Sequence, residues 1–178
     1  LCLGKNVGVE GETPGEDVFD DSQYTPLLPL LSLRRKCGEI TLPDSRKELL
    51  EEAENLALVR SARTEAMLRD VAGVLEKSGQ SMLLTKGAAL AFGGVYPEPH
   101  TRLGSDVDFL CDPDQKESVV EALLAASYRN AEPEYSLEYY YRYRGEVALY
   151  KPDSGWPVIE IHWTGAGRLY HHRRLGYL

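Results

Sequence analysis

Residues 104–115, with the sequence GSDVDFLCDPDQ, place two aspartates inside a short apolar run. Successive side chains of a β-strand point to opposite faces, so Asp106 and Asp108 share one face and the apolar residues that alternate with them share the other. This alternation predicts a strand at Val107–Cys111 that buries its apolar face. Any fold for this chain therefore has to accommodate two neighbouring carboxylates at the surface of a sheet.

The two carboxylates of this segment indicate a cation site. Neighbouring like charges disfavour the ionised form of both groups, and a divalent cation removes this penalty. Mg²⁺ prefers oxygen ligands and is usually held by one or two carboxylates together with substrate phosphates. We therefore interpret Asp106 and Asp108 as a Mg²⁺ site, with a strand whose polar face is merely hydrated as the alternative.

A third carboxylate occurs in the later segment PVIEIHW. In a strand, Glu160 and His162 share one face, opposite the two isoleucines. If this strand lies beside the strand of Asp108, three carboxylates converge, and Glu160 can bind the metal or accept a proton from an attacking hydroxyl group. The alternative is an exposed glutamate and a histidine buried in the core with its hydrogen bonds satisfied.

The segment SMLLTKGAALAFGG combines a short strand with a helix rich in small residues. Met82–Thr85 is predicted as the strand and Ala88–Phe92 as the helix. Lys86 and Gly87 form the turn between them, where free N–H groups at the helix start attract phosphate and the lysine adds a positive charge. A purely structural turn is the alternative. Arg102, four residues before the first aspartate, could reach the same anion or a neighbouring carboxylate.

Two further helices are predicted from capping patterns and apolar periodicity. Ser45 and Glu48 form a capping box, and apolar residues then recur at helical spacing as far as the glycine stop at Gly79. Asp112 caps the second helix. The apolar face of this second helix comprises Val119, Val120, Leu123 and Leu124.

Residues 135–163 change to a pattern of aromatic and β-branched residues that is typical of strands. We predict two or three antiparallel strands here. The tyrosines, with Arg142 and Arg144, could stack on a nucleotide base, but tyrosines that pack against one another across strands are the interpretation we favour. The order of elements predicts an α+β fold, a mixed sheet flanked by helices.

Charge limits the partners of this chain. The 178 residues include 20 Lys and Arg against 28 Asp and Glu, a net charge of −8. This argues against duplex DNA, which requires clustered basic residues, but it allows a nucleotide in a small basic pocket. Residues 1–23 are predicted as a flexible acidic arm and residues 24–178 as a single domain. The basic residues after Glu160 form either a solvated tail or a contact for an acidic protein partner.

The cysteines and the hydropathy pattern bear on the cellular location. Cys2, Cys37 and Cys111 are far apart in the sequence, which fits neither a disulfide framework nor a zinc site. No apolar run reaches the roughly 18 residues that a membrane span needs. No signal-peptide pattern opens the chain. We therefore expect a cytoplasmic protein that does not bind membranes.

Taken in order, the segments LLTKGAAL, VYPEPHTRLGSDVDFLCDPDQ and VIEIHW resemble the uncharacterised nucleotidyltransferase family of the polymerase-β-like superfamily. The resemblance extends over about residues 50–163, from the helix before the Lys-Gly turn to the Glu-Ile-His-Trp strand. It implies a nucleotidyltransferase-like fold and the transfer of a nucleoside monophosphate from an NTP, with ATP as the expected nucleotide. The acceptor is not identified, and a small molecule, a protein hydroxyl group and an RNA end all stay open.

The resemblance also implies roles for individual residues. Asp106, Asp108 and Glu160 would bind Mg²⁺, or Mn²⁺ in its place, and carry catalysis. His162 would support this site from the same strand face. The expected nucleotide contacts are Lys86, Gly87, Ala88, Arg102 and Ser105.

Three departures from the family pattern affect these expectations. The superfamily favours Gly-Ser where this chain has Gly87 and Ala88, so a hydroxyl contact to phosphate is missing. Glu160 replaces the more usual aspartate, which lengthens its reach. The family generally continues with a helical region where this chain ends, so part of the acceptor site is expected to be absent or supplied by another chain.

A non-catalytic nucleotide-binding or protein-interaction module with the same fold is the alternative function.

Overall fold

The computed structural model describes residues 25–102 and 104–164. The predicted arm at residues 1–23 and the basic residues near the C terminus lie outside the described residues. The chain divides into two compact units. The described residues of the first unit are 25–61, 90–102 and 104, and those of the second are 62–89 and 105–164.

The described residues form helices and strands that we name in chain order. The helices are α1 (Leu28–Lys36), α2 (Lys47–Ser78), α3 (Lys86–Phe92), α4 (Lys116–Ala125) and α5 (Leu137–Tyr143). The strands are β1 (Leu83–Leu84), β2 (Asp106–Leu110), β3 (Arg129–Asn130), β4 (Glu146–Tyr150) and β5 (Val158–His162). Short 3₁₀ turns occur at Thr25–Leu27, Asp44–Arg46 and Pro99–Thr101.

The first unit is organised around a buried glutamate. Helix α1 packs against the 3₁₀ turn Pro99–Thr101. Ser32 Oγ on α1 donates a hydrogen bond of 2.5 Å to Glu54 Oε2 on α2, and Lys36 Nζ lies 2.7 Å from the same oxygen. Because an unpaired buried carboxylate would be costly, these two contacts fix the position of α1 on the first half of α2.

The described strands form one mixed sheet in the second unit, in the order β1-β2-β5-β4-β3. Strands β2 and β5 pair in parallel, and the other neighbouring strands pair antiparallel. The predicted mixed sheet flanked by helices is thus confirmed, as is the antiparallel pairing of the last two strands. The two-residue strand β3 was not predicted, because its short segment has no alternating pattern of its own.

The central strands have a buried apolar face and an opposite face that carries the acidic residues. The apolar face comprises Val107, Phe109, Val147, Leu149, Ile159 and Ile161, all buried. The same core includes Met67, Val71 and Leu75 from α2 and Val119, Val120 and Leu123 from α4. Burial of this one face explains the alternation in the sequence and leaves the acidic residues together on the other face.

The C-terminal end of α2 agrees with the prediction from the sequence, and its N-terminal start does not. Its end is as predicted, because Gly79 has a left-handed φ of +69° and Gln80 N–H donates to the carbonyl of Leu75 at 2.9 Å. The predicted start is wrong, because a 3₁₀ turn at Asp44–Arg46 precedes the α-helix and Ser45 lies inside that turn instead of at the N-cap. None of the described helices is both long and apolar enough to cross a bilayer.

The tyrosine-rich stretch is helical, so the prediction of a strand there is wrong. Ser136 is the N-cap of α5, and its Oγ accepts a hydrogen bond from Tyr139 N–H at 3.2 Å. The rings of Tyr135 and Tyr139 stack with their centroids 5.0 Å apart, and the ring of Tyr143 follows one turn later. The cap and this packing of rings along one side of the helix outweigh the strand preference of tyrosine.

The start of α4 is displaced from the predicted position. Asp112 does not cap the helix directly; its Oδ1 accepts a hydrogen bond from Asp114 N–H at 2.9 Å and forms a turn. The helix then begins at Lys116, with Gln115 as its N-cap residue. The predicted capping residue therefore stabilises the turn before the helix, which is a common alternative role for aspartate.

Candidate active site

The pairing of β2 with β5 determines where the acidic residues meet. In this parallel register Asp108 is the partner of Glu160. In the antiparallel register between β5 and β4, Glu146 is the partner of His162. Paired residues of adjacent strands project to the same face of a sheet. These four side chains and that of Asp106 therefore lie on the polar face of the second unit's sheet.

Asp108 is at the centre of this acidic group. The residue is only 5% exposed. Lys86 Nζ donates to Asp108 Oδ1 at 2.5 Å, and His162 Nε2 lies 2.9 Å from the same oxygen. Burial of an unpaired charge is costly, and these two contacts offset that cost. The predicted site residues on three separate segments of the chain thus meet at one carboxylate oxygen.

The ring of His162 lies among carboxylates. Its Nδ1 is 3.0 Å from Glu146 Oε2, and its Nε2 is 3.6 Å from Glu160 Oε2. The residue is 8% exposed. The sequence left open a histidine buried in the core, and this histidine is indeed buried, but its partners are the acidic residues of the polar face.

Negative charge dominates the electrostatics of this face. Burial raises the pKa of Glu160, and so do three neighbouring carboxylates. These carboxylates belong to Asp106, Glu146 and Asp108. The hydrogen bond to Asp108 and the nearby negative charges raise the pKa of Lys86, although burial opposes this effect. The face therefore favours a positive charge, which Lys86 supplies in part.

The turn between β1 and α3 places Lys86 beside β2. Thr85 donates from both its N–H and its hydroxyl group to the carbonyl of Asp108, at 2.9 and 3.2 Å. Lys86 is the first residue of α3 and has a left-handed φ of +49°. Gly87 and Ala88, two of the predicted nucleotide contacts, follow in the first turn of this helix. Lys86 is thus one of three described non-glycine residues with a positive φ, and its ammonium group contacts the acidic face.

The remaining predicted site residues are Ser105 and Asp106 near the start of β2 and Arg102 in the first unit. Asp106 is exposed at the start of β2, and Ser105 Oγ lies 3.4 Å from its Oδ1. Arg102 belongs to the first unit, where its N–H donates to the carbonyl of Pro99 at 3.2 Å. A contact of Arg102 or Ser105 with a phosphate stays a prediction.

The donor atoms of Asp108, Glu160 and His162 fit a divalent cation. One potential ligand atom from each of these residues lies within 4.8 Å of the other two. Neighbouring ligands of one cation with bonds of about 2.1 Å are about 3 Å apart, so a small adjustment of the side chains would suffice. Carboxylate oxygens suit Mg²⁺ and Mn²⁺, and imidazole is a common ligand of transition-metal ions.

Glu146 is the member of this group that the sequence analysis did not identify. The alternating segment EVALY indicates a strand, and it places Glu146 on the face opposite the buried Val147 and Leu149. That pattern is compatible with any solvated strand face. Only the register with β5 shows that Glu146 lies next to His162.

A family model matches most of the chain. Residues 22–175 match the family model described as uncharacterised nucleotidyltransferase. This range includes all five strands and every residue of the acidic face. No curated protein and no solved structure matches the chain.

Proposed function

Because the chain belongs to the uncharacterised nucleotidyltransferase family, we propose that it transfers a nucleoside monophosphate from an NTP to an acceptor and releases pyrophosphate. The observation that carries the proposal is the pairing of Asp108 with Glu160 across β2 and β5. A remote Glu160 would have favoured a non-catalytic module. Carboxylates from two strands on one face are instead what a cation site for phosphate chemistry needs.

Asp106, Asp108 and Glu160 are the carboxylates proposed to hold Mg²⁺ or Mn²⁺. The cation, when bound, would neutralise charge on the phosphate oxygens and help to align the nucleotide. The protein's contribution is to hold these carboxylates on a single rigid sheet face. Lys86 reduces the repulsion among them, and His162 contacts two of them.

In the proposed reaction an acceptor hydroxyl oxygen forms a bond to the α-phosphorus as the bond to the bridging oxygen of the β-phosphate breaks. Pyrophosphate leaves with the bonding electron pair, and the hydroxyl proton passes to a base. Glu160 is the proposed base, because its side chain is 32% exposed whereas that of Asp108 is 7% exposed. The more accessible of the two paired carboxylates is the better placed to meet an incoming hydroxyl group.

Lys86 is proposed to contact the phosphates of the nucleotide. Its side chain is 59% exposed even though its ammonium group contacts Asp108, so it can serve both the protein and a ligand. A lysine acts on phosphate as a compact point charge. The other proposed nucleotide contacts are Gly87, Ala88, Arg102 and Ser105.

The test is incubation of the purified chain with each labelled NTP, ATP first, and Mg²⁺ or Mn²⁺. Pyrophosphate release and labelling of the protein or of an added acceptor are measured. We expect release with the wild type and a loss of more than roughly 100-fold in the double variant D106N/D108N, since even groups that only orient metal ligands are worth 10- to 100-fold.

The chain offers a matched control for this experiment. Asp112 and Asp114 form a second Asp-x-Asp pair, in the exposed turn before α4. The variant D112N/D114N should release pyrophosphate at the wild-type rate. If D106N/D108N releases pyrophosphate as fast as the wild type, the assignment of the site is rejected.

One observation favours the alternative of a non-catalytic nucleotide-binding module. Lys86 and His162 both contact one oxygen of Asp108, so protein groups can balance its charge. If that pairing is the working state, the chain should bind an NTP equally well with EDTA and with Mg²⁺, and it should release no pyrophosphate. Isothermal titration calorimetry in the two buffers distinguishes this outcome from cation-dependent binding.

A further inference from the structure

Glu146 and His162 face each other across strands β4 and β5. His162 Nδ1 lies 3.0 Å from Glu146 Oε2, and both side chains are more than four-fifths buried. An ionised carboxylate can only accept hydrogen bonds, so Glu146 favours a proton on Nδ1, as Asp108 favours one on Nε2 when no cation is bound. The contact therefore fixes the orientation of the ring and directs its other nitrogen, Nε2, away from Glu146.

Nε2 is the nitrogen that faces the proposed cation site. It lies 2.9 Å from Asp108 Oδ1 and 3.6 Å from Glu160 Oε2. Oxygen ligands serve Mg²⁺ and Mn²⁺ alike, whereas a ring nitrogen suits first-row transition cations better than it suits Mg²⁺. Two carboxylates with one imidazole nitrogen thus form a set that can discriminate between these cations.

We propose that Glu146 is a positioning residue that holds His162 with Nε2 as a nitrogen ligand, so that the site selects Mn²⁺ or a related transition cation over Mg²⁺. This inference rests on the proposed function only in taking a divalent cation to bind the acidic face. It requires neither an acceptor nor turnover. Removal of a carboxylate that orients a metal-ligating histidine usually lowers metal affinity 10- to 100-fold, so the expected effect is measurable.

The first experiment measures cation affinity with the full chain. Mn²⁺ binding is followed by electron paramagnetic resonance, and Mg²⁺ binding by competition with Mn²⁺. E146A should lower Mn²⁺ affinity about 10- to 100-fold and Mg²⁺ affinity much less. H162A should abolish the preference for Mn²⁺. E146Q should retain most of the preference for Mn²⁺, because the amide oxygen can still accept a hydrogen bond from Nδ1–H.

A matched control separates this effect from a general loss of negative charge. Glu138 is an exposed glutamate on α5 that pairs with Arg142 at 2.8 Å. E138A removes the same charge and should leave both affinities unchanged. Circular dichroism establishes that each variant is folded, and E146Q keeps the shape of the side chain should E146A fail to fold.

The second experiment measures which ring nitrogen of His162 carries a proton in the metal-free protein. Nitrogen-15 chemical shifts of His162 should show a proton on Nδ1 in the wild type and in E146Q, and loss of that proton in E146A, where the contact of Nε2 with Asp108 Oδ1 favours the other tautomer. An unprotonated Nδ1 in the wild type overturns the inference, as does an equal loss of Mn²⁺ and Mg²⁺ affinity in E146A.

These readouts separate the two proposals. Mn²⁺ binding that is insensitive to E146A and H162A, together with pyrophosphate release, overturns the role of Glu146 and leaves the transferase in place. Selective Mn²⁺ binding without pyrophosphate release from any NTP supports the role of Glu146 and counts against the transferase. Absence of Mn²⁺ binding overturns the role of Glu146, and absence of pyrophosphate release with either cation in addition overturns both.

Discussion

Lys86 Nζ lies 2.5 Å from Asp108 Oδ1, although the lysine begins α3 and the aspartate lies in the middle of β2. The lysine adopts a left-handed φ of +49° in the same arrangement. This conformation costs a residue with a side chain roughly 1 to 2 kcal/mol. Strained residues of this kind concentrate at functional sites, and Lys86 contacts the acidic face that carries the proposed function.

The backbone of Lys86 leads to the first prediction, which separates conformation from charge. K86G and K86A both remove the ammonium group, but only glycine adopts the left-handed conformation without strain. K86G should therefore be more stable than K86A by up to about 1 kcal/mol in urea unfolding. Both variants should lose NTP affinity in calorimetry, because both lack the positive charge.

Lys116 is the matched control for this comparison. It also begins a helix, α4, but its φ is not among the positive values of the described residues. At this position the order of stability should invert, with K116A more stable than K116G, because alanine has a higher helix propensity than glycine. K86A that is as stable as K86G would contradict the assignment of strain to Lys86.

The second prediction concerns the cap of α5. Ser136 Oγ accepts a hydrogen bond from the first turn of a helix that sequence propensity places in a strand. S136A should lower the free energy of unfolding by about 1 kcal/mol, the usual value of such a cap. S118A is the control, because Ser118 Oγ donates to the carbonyl of Gln115 at an exposed position. Thermal unfolding of both variants tests the difference; equal melting temperatures for the two would refute a stabilising cap at Ser136.

The third prediction is a pH dependence that arises in the first unit. Burial alone would raise the pKa of Glu54, but the hydrogen bonds from Lys36 and Ser32 and the charge of Lys36 outweigh it, so the pKa is lowered. Glu54 therefore stabilises the fold above the ordinary glutamate pKa of about 4.3, and this contribution is lost as the pH falls through its lower folded-state pKa.

E54Q tests this dependence. At pH 7 it should cost roughly 1 to 3 kcal/mol, because it removes a charged partner from buried hydrogen bonds. The difference from the wild type should shrink as the pH falls below about 4. E51Q, at a half-exposed glutamate on the same helix, should stay within about 0.5 kcal/mol of the wild type at every pH. A cost of E54Q that does not vary with pH would contradict the assigned role of the charge.

The fourth prediction concerns the cation itself. A ligand that binds only the folded state stabilises it, by about 2.7 kcal/mol at 100 times its dissociation constant. Mn²⁺ should therefore raise the melting temperature of the wild type, and EDTA should reverse the shift. D108N should abolish the response, because Asp108 is central to the donor set. An equal shift in D108N would place the bound cation elsewhere.

Much of this arrangement follows from local patterns. The alternation of aspartates with apolar residues predicts β2 and its polar face, and Gly79 predicts the end of α2. The match of the family model to residues 22–175 agrees with the family that the motifs resemble. The tyrosine-rich segment shows the limit of such reasoning, because one cap at Ser136 and the stacking of rings convert a strand-like composition into a helix.

The sequence by itself determined which residues carry charge, which face of each strand is apolar and which family the chain resembles. Only the tertiary structure decided that Asp108 meets Glu160 and that Glu146 lies beside His162. The reason is that strand order and register depend on backbone hydrogen bonds between segments far apart in the chain, such as those that pair β2 with β5. A local pattern specifies the face on which a side chain lies, but it does not specify the strand that lies beside it.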